Sequence, residues 1–179
     1  MDDIAREAGM TKPILYAHFG DKAGLAAALS DRFASDLVPQ VLGAFQRSDL
    51  EAAEMVRTAI DTFIGFVQAD PAVYRFLVRG FAGSESSFVD TELVKTFGLQ
   101  LAQVLSTGLR AAGEDSGPAE LWAFALLGAV FSAAEWWLAR PIMTRNDLVD
   151  YLTTLVWRGA SQAAIGQVTA GRSPANNEE

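Results

Sequence analysis

Residues 2–22 read DDIAREAGMTKPILYAHFGDK, the pattern of two short helices joined by a tight turn. Ile4, Ala5 and Ala8 share the inner face of the first helix, and Gly9 allows the backbone to swing sharply out of it. Thr11 stands where a second helix needs a cap, and Pro13 falls in that helix's first turn, where a missing N–H does no harm. Leu15 and Phe19, four residues apart, point the same way and pin this helix inward. Its other face presents Lys12, Ile14, Tyr16, Ala17 and His18. Gly20 ends it, and Asp21 caps a longer third helix. A second helix this short and small-faced fits a DNA major groove.

Helical spacing continues outward. Leu25, Leu29, Phe33 and Leu37 mark one face of the third helix, with Pro39 predicted as its end. A helix over 49–69 carries Val56, Ile60, Phe63 and Val67. Asp70-Pro71 starts another over 70–81, which bears Tyr74, and 83–87 reads as a loop. A long helix from Val94 stops near Gly113. Ser116-Gly117-Pro118 breaks the chain before a helix over 118–139 that Pro141 closes. Thr144 or Asn146 caps a last helix to about Ile165. No run alternates in the manner of a strand and no hairpin dipeptide occurs. The expectation is an all-α chain of about nine helices. A helix-turn-helix domain spans 1–40, a helical ligand-binding and dimerisation domain spans 45–168, and a flexible tail spans 169–179.

Composition narrows the function. Half of the 179 residues are hydrophobic, enough for a packed core. There is no cysteine and one histidine, His18, so neither a disulfide nor a thiolate or multi-histidine metal site is available. No glycine-rich phosphate loop or His/Glu metal spacing appears, and an enzyme is not expected. No cofactor is implied. Met1 leads straight into Asp2 and Asp3 without a signal peptide, and the uncharged run Leu121–Ala134 is shorter than the roughly 20 residues of a membrane span. A cytoplasmic protein without a membrane partner is expected. Net charge is −8, which counts against a DNA-binding surface over the whole chain. Residues 1–32, however, set Arg6, Lys12, Lys22 and Arg32 against Asp2, Asp3, Glu7, Asp21 and Asp31. A nearly neutral head therefore sits on an acidic body.

The runs IAREAG and TKPILYAHFGDK resemble the DNA-binding signature of the TetR family of regulators, with Tyr16, His18, Phe19 and Lys22 at the family's spacing. The resemblance covers about the first 25 residues. It implies that Thr11 and Lys12 open a recognition helix and meet phosphate or base edges, that Pro13, Ile14 and Ala17 face bases, and that Tyr16, His18 and Lys22 meet phosphates of double-stranded operator DNA. Lys12 suits a guanine edge, while Ile14 and Ala17 offer apolar contact. The resemblance also implies a helix ahead of the turn, packed across Ile4, Ala8 and Phe19, whereas this sequence opens at Met1 on the second helix of three. Either translation starts upstream, which is the favoured expectation, or the chain is truncated and binds DNA poorly.

The remainder is apolar and rich in aromatic residues. Phe63, Tyr74, Phe97, Trp122 and Phe131, with Glu135 as a polar partner, are candidate walls of a pocket for a small apolar or aromatic effector, although most of the aromatics are expected to be plain core. Arg79, Gln100, Gln103 and Thr107 are further polar candidates. The helix over 118–139 is apolar nearly all round and needs burial on every side. In the resembled family the last two long helices form a four-helix dimer interface. That assigns Leu121, Ala125, Gly128 and Ser132, with Leu148, Leu152 and Leu155, to a homodimer contact. The implied function is a ligand-responsive regulator, a repressor released from a palindromic operator when an effector moves the third helix. A helical ligand-binding scaffold that has lost DNA binding is the alternative.

Overall fold

In a computed structural model, residues 1–79 and 92–170 are described, with side chains over 1–78 and 93–159. Among them the chain forms eight α-helices: α1 (Asp2–Glu7), α2 (Lys12–Phe19), α3 (Lys22–Leu42), α4 (Ala52–Ala69), α5 (Pro71–Arg79), α6 (Glu92–Ala111), α7 (Ala119–Ala139) and α8 (Arg145–Ala170). A 3-10 turn, Gly43–Gln46, follows α3, and no strand occurs among the described residues. The all-α expectation holds. The predicted loop at 83–87 and the tail beyond Ala170 lie outside the described residues.

Side-chain caps set several of the helix starts. The Asp21 carboxylate accepts from the Gly24 N–H at 2.8 Å, and the Asp70 carboxylate accepts from the Val73 N–H at 3.0 Å. Thr144 and Asp147 cap α8 reciprocally: the Asp147 N–H donates to Thr144 Oγ1 at 3.2 Å, and the Thr144 N–H donates back to Asp147 Oδ2 at 3.2 Å. The start of α4 falls later than the expected residue 49. Asp49 is engaged by Arg47 at 2.6 Å, and the Glu51 N–H donates to the Glu54 carboxylate instead. At the end of α6, Gly113 takes φ 77°. The Glu114 N–H then reaches the Leu109 carbonyl at 2.9 Å, a glycine-terminated stop that other residues resist.

One predicted stop is corrected: α3 runs through Pro39 to Leu42. A proline inside a helix costs about 3 kcal/mol through its missing N–H and ring clash. Beyond it, Val41 and Leu42 are buried together with Val38 just before it, and each such side chain contributes about 1.5–3 kcal/mol. Burial therefore outweighs the break. Ser35 and Pro39 sit on the exposed side, so the carbonyl left without a donor faces solvent. Leu29, expected on the inner face, is exposed.

A single core runs from Ala34 of α3 to Val156 of α8. At its centre Phe63, Tyr74, Phe97 and Phe131 bring α4, α5, α6 and α7 together, with ring centroids 4.6–6.3 Å apart. The buried Tyr74 hydroxyl donates to the Phe131 carbonyl at 3.1 Å. Close approach of α6 and α7 depends on Gly98, where the Phe124 ring occupies the place of a side chain. Helix α7 reaches 21 residues, long and apolar enough by length and composition to cross a membrane. Its Ala123, Leu127, Phe131, Ala134 and Trp137 are buried in this core, while Leu121, Ala125, Ser132 and Trp136 are exposed.

Candidate nucleic-acid interface and effector cavity

The head is built from α1, α2 and the first half of α3. Gly9 takes φ 63° and Gly20 φ 72°, the left-handed conformations that let three helices turn back on one another within 24 residues. Ala5, Leu15 and Leu25, one from each helix, are buried and form its small core. Ile4 and Phe19 are half-buried, and Ala8, expected to face inward, is exposed.

All eight residues proposed from sequence to meet DNA are exposed: Thr11, Lys12, Pro13, Ile14, Tyr16, Ala17, His18 and Lys22. Ile14 and Tyr16 are each 44% exposed, unusual for large apolar groups that have a core available to them. Thr11 occupies the cap position of α2 in extended conformation, yet its side chain makes no capping bond. Lys12 is not solvated alone. Its ammonium lies 2.8 Å from Asp2 Oδ1, and this partner holds the Asp2 carboxyl below, and the Lys12 ammonium above, its ordinary range.

Helix α3 joins this head to a second feature. Its 21 residues span about 30 Å. Lys22 stands at one end, while Val41 and Leu42 at the other line a cavity of about 340 Å³. Phe45, Met55, Val56, Ala59, Ile60 and Phe63 form one wall, α6 and α7 the opposite one, and Val156 and Trp157 of α8 close it. The lining side chains are apolar, and Trp157 is the one among them that carries an N–H. The cavity's volume falls in the range of small-molecule sites, and its lining offers mainly shape and apolar area.

Three of the six expected pocket residues, Phe63, Phe97 and Phe131, line this cavity. Tyr74 is sealed behind them by its bond to the Phe131 carbonyl. Trp122 and Glu135 are half-buried elsewhere, and Gln100, Gln103 and Thr107 are exposed away from it; the side chain of Arg79 lies outside those described. Sequence reasoning missed the aliphatic majority of the lining, because a Leu or Val beside a cavity has the same spacing as one in solid core.

The expected dimer face divides. On α7, Leu121, Ala125 and Ser132 are exposed and Gly128 is half-buried, and Trp136 extends the same stripe. On α8, Leu155 is exposed beside Tyr151. Leu148 and Leu152 are corrected: both are buried in the chain's own core, where the α8 face carrying Leu148, Val149, Leu152 and Val156 packs inward.

Comparison with known proteins agrees with both features. Residues 1–29 match the family model of bacterial regulatory proteins, tetR family, and residues 42–172 match that of the tetracyclin repressor-like C-terminal domain. An HTH-type transcriptional regulator of Mycobacterium tuberculosis is 35% identical over 97% of this chain and 72% of its own length. The HTH-type transcriptional activator FasR of Mycolicibacterium smegmatis is 29% identical over 92% of this chain and 75% of its own. The crystal structure of a TetR-like transcriptional regulator from Rhodococcus sp. RHA1 superposes with a TM-score of 0.62 at 26% identity, covering 89% of this chain and 83% of that one.

Proposed function

From the premise that this chain belongs to the TetR family of DNA-binding transcriptional regulators, and is therefore no enzyme, we propose that it is a repressor released from a palindromic operator by an apolar effector. The observation that carries this reading is α3. One continuous helix carries the exposed Lys22 at its head end and, at the other, Val41 and Leu42, which line the cavity. An effector that binds the two positions of α3 unequally must shift the head, by as much as that difference in affinity and no more.

Thr11, Lys12, Pro13, Ile14 and Ala17 face base edges, while Tyr16, His18 and Lys22 meet phosphates. This division is supported by their common exposure on and beside α2. The cavity favours an effector with a substantial apolar body, whose affinity comes from buried area and not from internal hydrogen bonds. TetR regulators are typically dimeric. We assign the contact here to Leu121, Ala125, Gly128, Ser132 and Trp136 of α7 with Tyr151 and Leu155 of α8. Two heads on a two-fold axis then select a two-fold operator. The domains divide inside α3, whose Leu25 belongs to the head's core and whose Leu37 to Leu42 belong to the body's. Regulation takes place in the cytoplasm, beside the DNA. The relative FasR is a transcriptional activator, so the sign of control is an outcome of the test.

Fluorescence anisotropy with the duplex upstream of the chain's own gene tests the proposal. Specific binding is expected, weakened at least ten-fold by Tyr16→Ala and abolished by a cavity ligand. Specific binding that no apolar ligand weakens refutes the effector half. Absence of specific binding refutes the operator half.

A further inference from the structure

Arg6 and Lys12 of the head are engaged by carboxylates. Arg6 lies 2.7 Å from Asp3 on α1 itself. Lys12, the first residue of α2, is held from across the turn by Asp2, whose two oxygens lie 2.8 and 3.1 Å from Nζ. The second pair bears on DNA recognition because Lys12 stands at the leading end of the exposed α2 face.

Sequence-independent affinity for DNA comes from cations that displace counterions from phosphates, and each contact adds to the steepness of the salt dependence. A lysine already neutralised by its own protein contributes nothing to this until its pair is broken. Specific base contacts are less affected, because they are made at one fixed position where a directed acceptor, such as a guanine edge, compensates for leaving the carboxylate. The pair is exposed on both sides, 48% for Lys12 and 75% for Asp2, so it is weak enough to exchange.

We propose that Asp2 is a specificity-determining residue of the head: by holding the Lys12 ammonium it withholds that charge from backbone phosphates and lowers affinity for arbitrary DNA. This rests on the reading of the α2 face as the DNA interface. Asp2 touches no base and acts only through Lys12.

The test is anisotropy of the full chain with a random-sequence duplex over roughly 50 to 200 mM salt, the range in which phosphate contacts dominate. Asp2→Asn is expected to steepen the slope of log K against log salt by about 0.9 per head, and to tighten binding by up to about eight-fold at 0.1 M salt. The gain should vanish in a Lys12→Gln background. Glu7→Gln, which removes an exposed carboxylate from the same helix, should give a smaller change. Equal slopes for the parent and Asp2→Asn chains overturn the proposal. So does a gain that survives Lys12→Gln, since the effect would then be general charge and not the pair. If the folded parent binds no duplex at any salt, the interface reading fails and the proposal fails with it. Unchanged thermal unfolding of Asp2→Asn separates all of these from misfolding.

Discussion

Filling the cavity tests the effector reading without knowledge of the effector. Ala59 of α4 lines the space and is itself 6% exposed, so a larger side chain there projects into a void instead of water. The volume of about 340 Å³ decides whether a phenyl ring fits, since an apolar cavity of about 150 Å³ suffices to bind benzene. The overpacking cost of about 1–3 kcal/mol that usually accompanies enlargement of a core residue is therefore largely avoided. Ala59→Phe gains most of a buried ring's contribution, about 2 kcal/mol. For a chain of this size that raises Tm by about 4–8 °C. Naphthalene serves as a neutral apolar probe: it should raise the Tm of the parent chain and leave the filled variant unmoved. DNA binding by the variant should persist while its response to apolar ligands is lost. A fall in Tm by more than about 4 °C, or equal stabilisation of both chains by naphthalene, would refute the reading of this space as an open ligand cavity.

Gly98→Ala should lower stability by about 1–3 kcal/mol, because its β-carbon would lie under 3.0 Å from atoms of the Phe124 ring, so that the ring or the helix must shift; denaturant unfolding measures it. Leu121→Glu places a charge on the exposed stripe of α7, where Leu121 is 71% exposed. Light scattering should show a monomer with native helix content, and operator affinity should fall at least ten-fold; an intact dimer would move the interface elsewhere. Asp49 carries a carboxyl lowered to about 2 by hydrogen bonding from Arg47. Because the folded value lies below the unfolded one, the pair's support for the link between the 3-10 turn and α4 is complete above about pH 4 and is lost as pH falls towards 2. An NMR titration of the Asp49 side chain should show that midpoint, and Arg47→Gln should return it to the ordinary carboxylate range.

The head was legible because its signal is local. A glycine at each turn, Leu15 buried and Ile14 and Tyr16 exposed all follow from positions a few residues apart. Caps such as Asp21, Asp70 and Thr144 were legible for the same reason. Three features needed the third dimension. Pro39 reads as a stop, and only the burial of Val38, Val41 and Leu42 around it explains why the helix goes on. Tyr74 and Phe63 carry the same periodic mark, yet one is sealed in the core by its hydroxyl and the other faces a void. On α8, Leu152 and Leu155 stand three residues apart with equal hydrophobicity, and packing against the body alone sends one inward and leaves the other out. Spacing identifies the face of a helix; it does not say what the face meets.

A cavity walled by methyl groups and rings, with one indole N–H among them, has little means of telling one functional group from another. Its preferences follow bulk and contour, so neighbouring members of a homologous series should evoke graded responses instead of a single compound acting as the key. On the proposed effector reading, such a cavity would report a bulk property of the surrounding chemical pool, its burden of greasy molecules of a certain girth. Narrowing that breadth would require planting a polar side chain in the wall, at a cost to the fold that the present lining avoids.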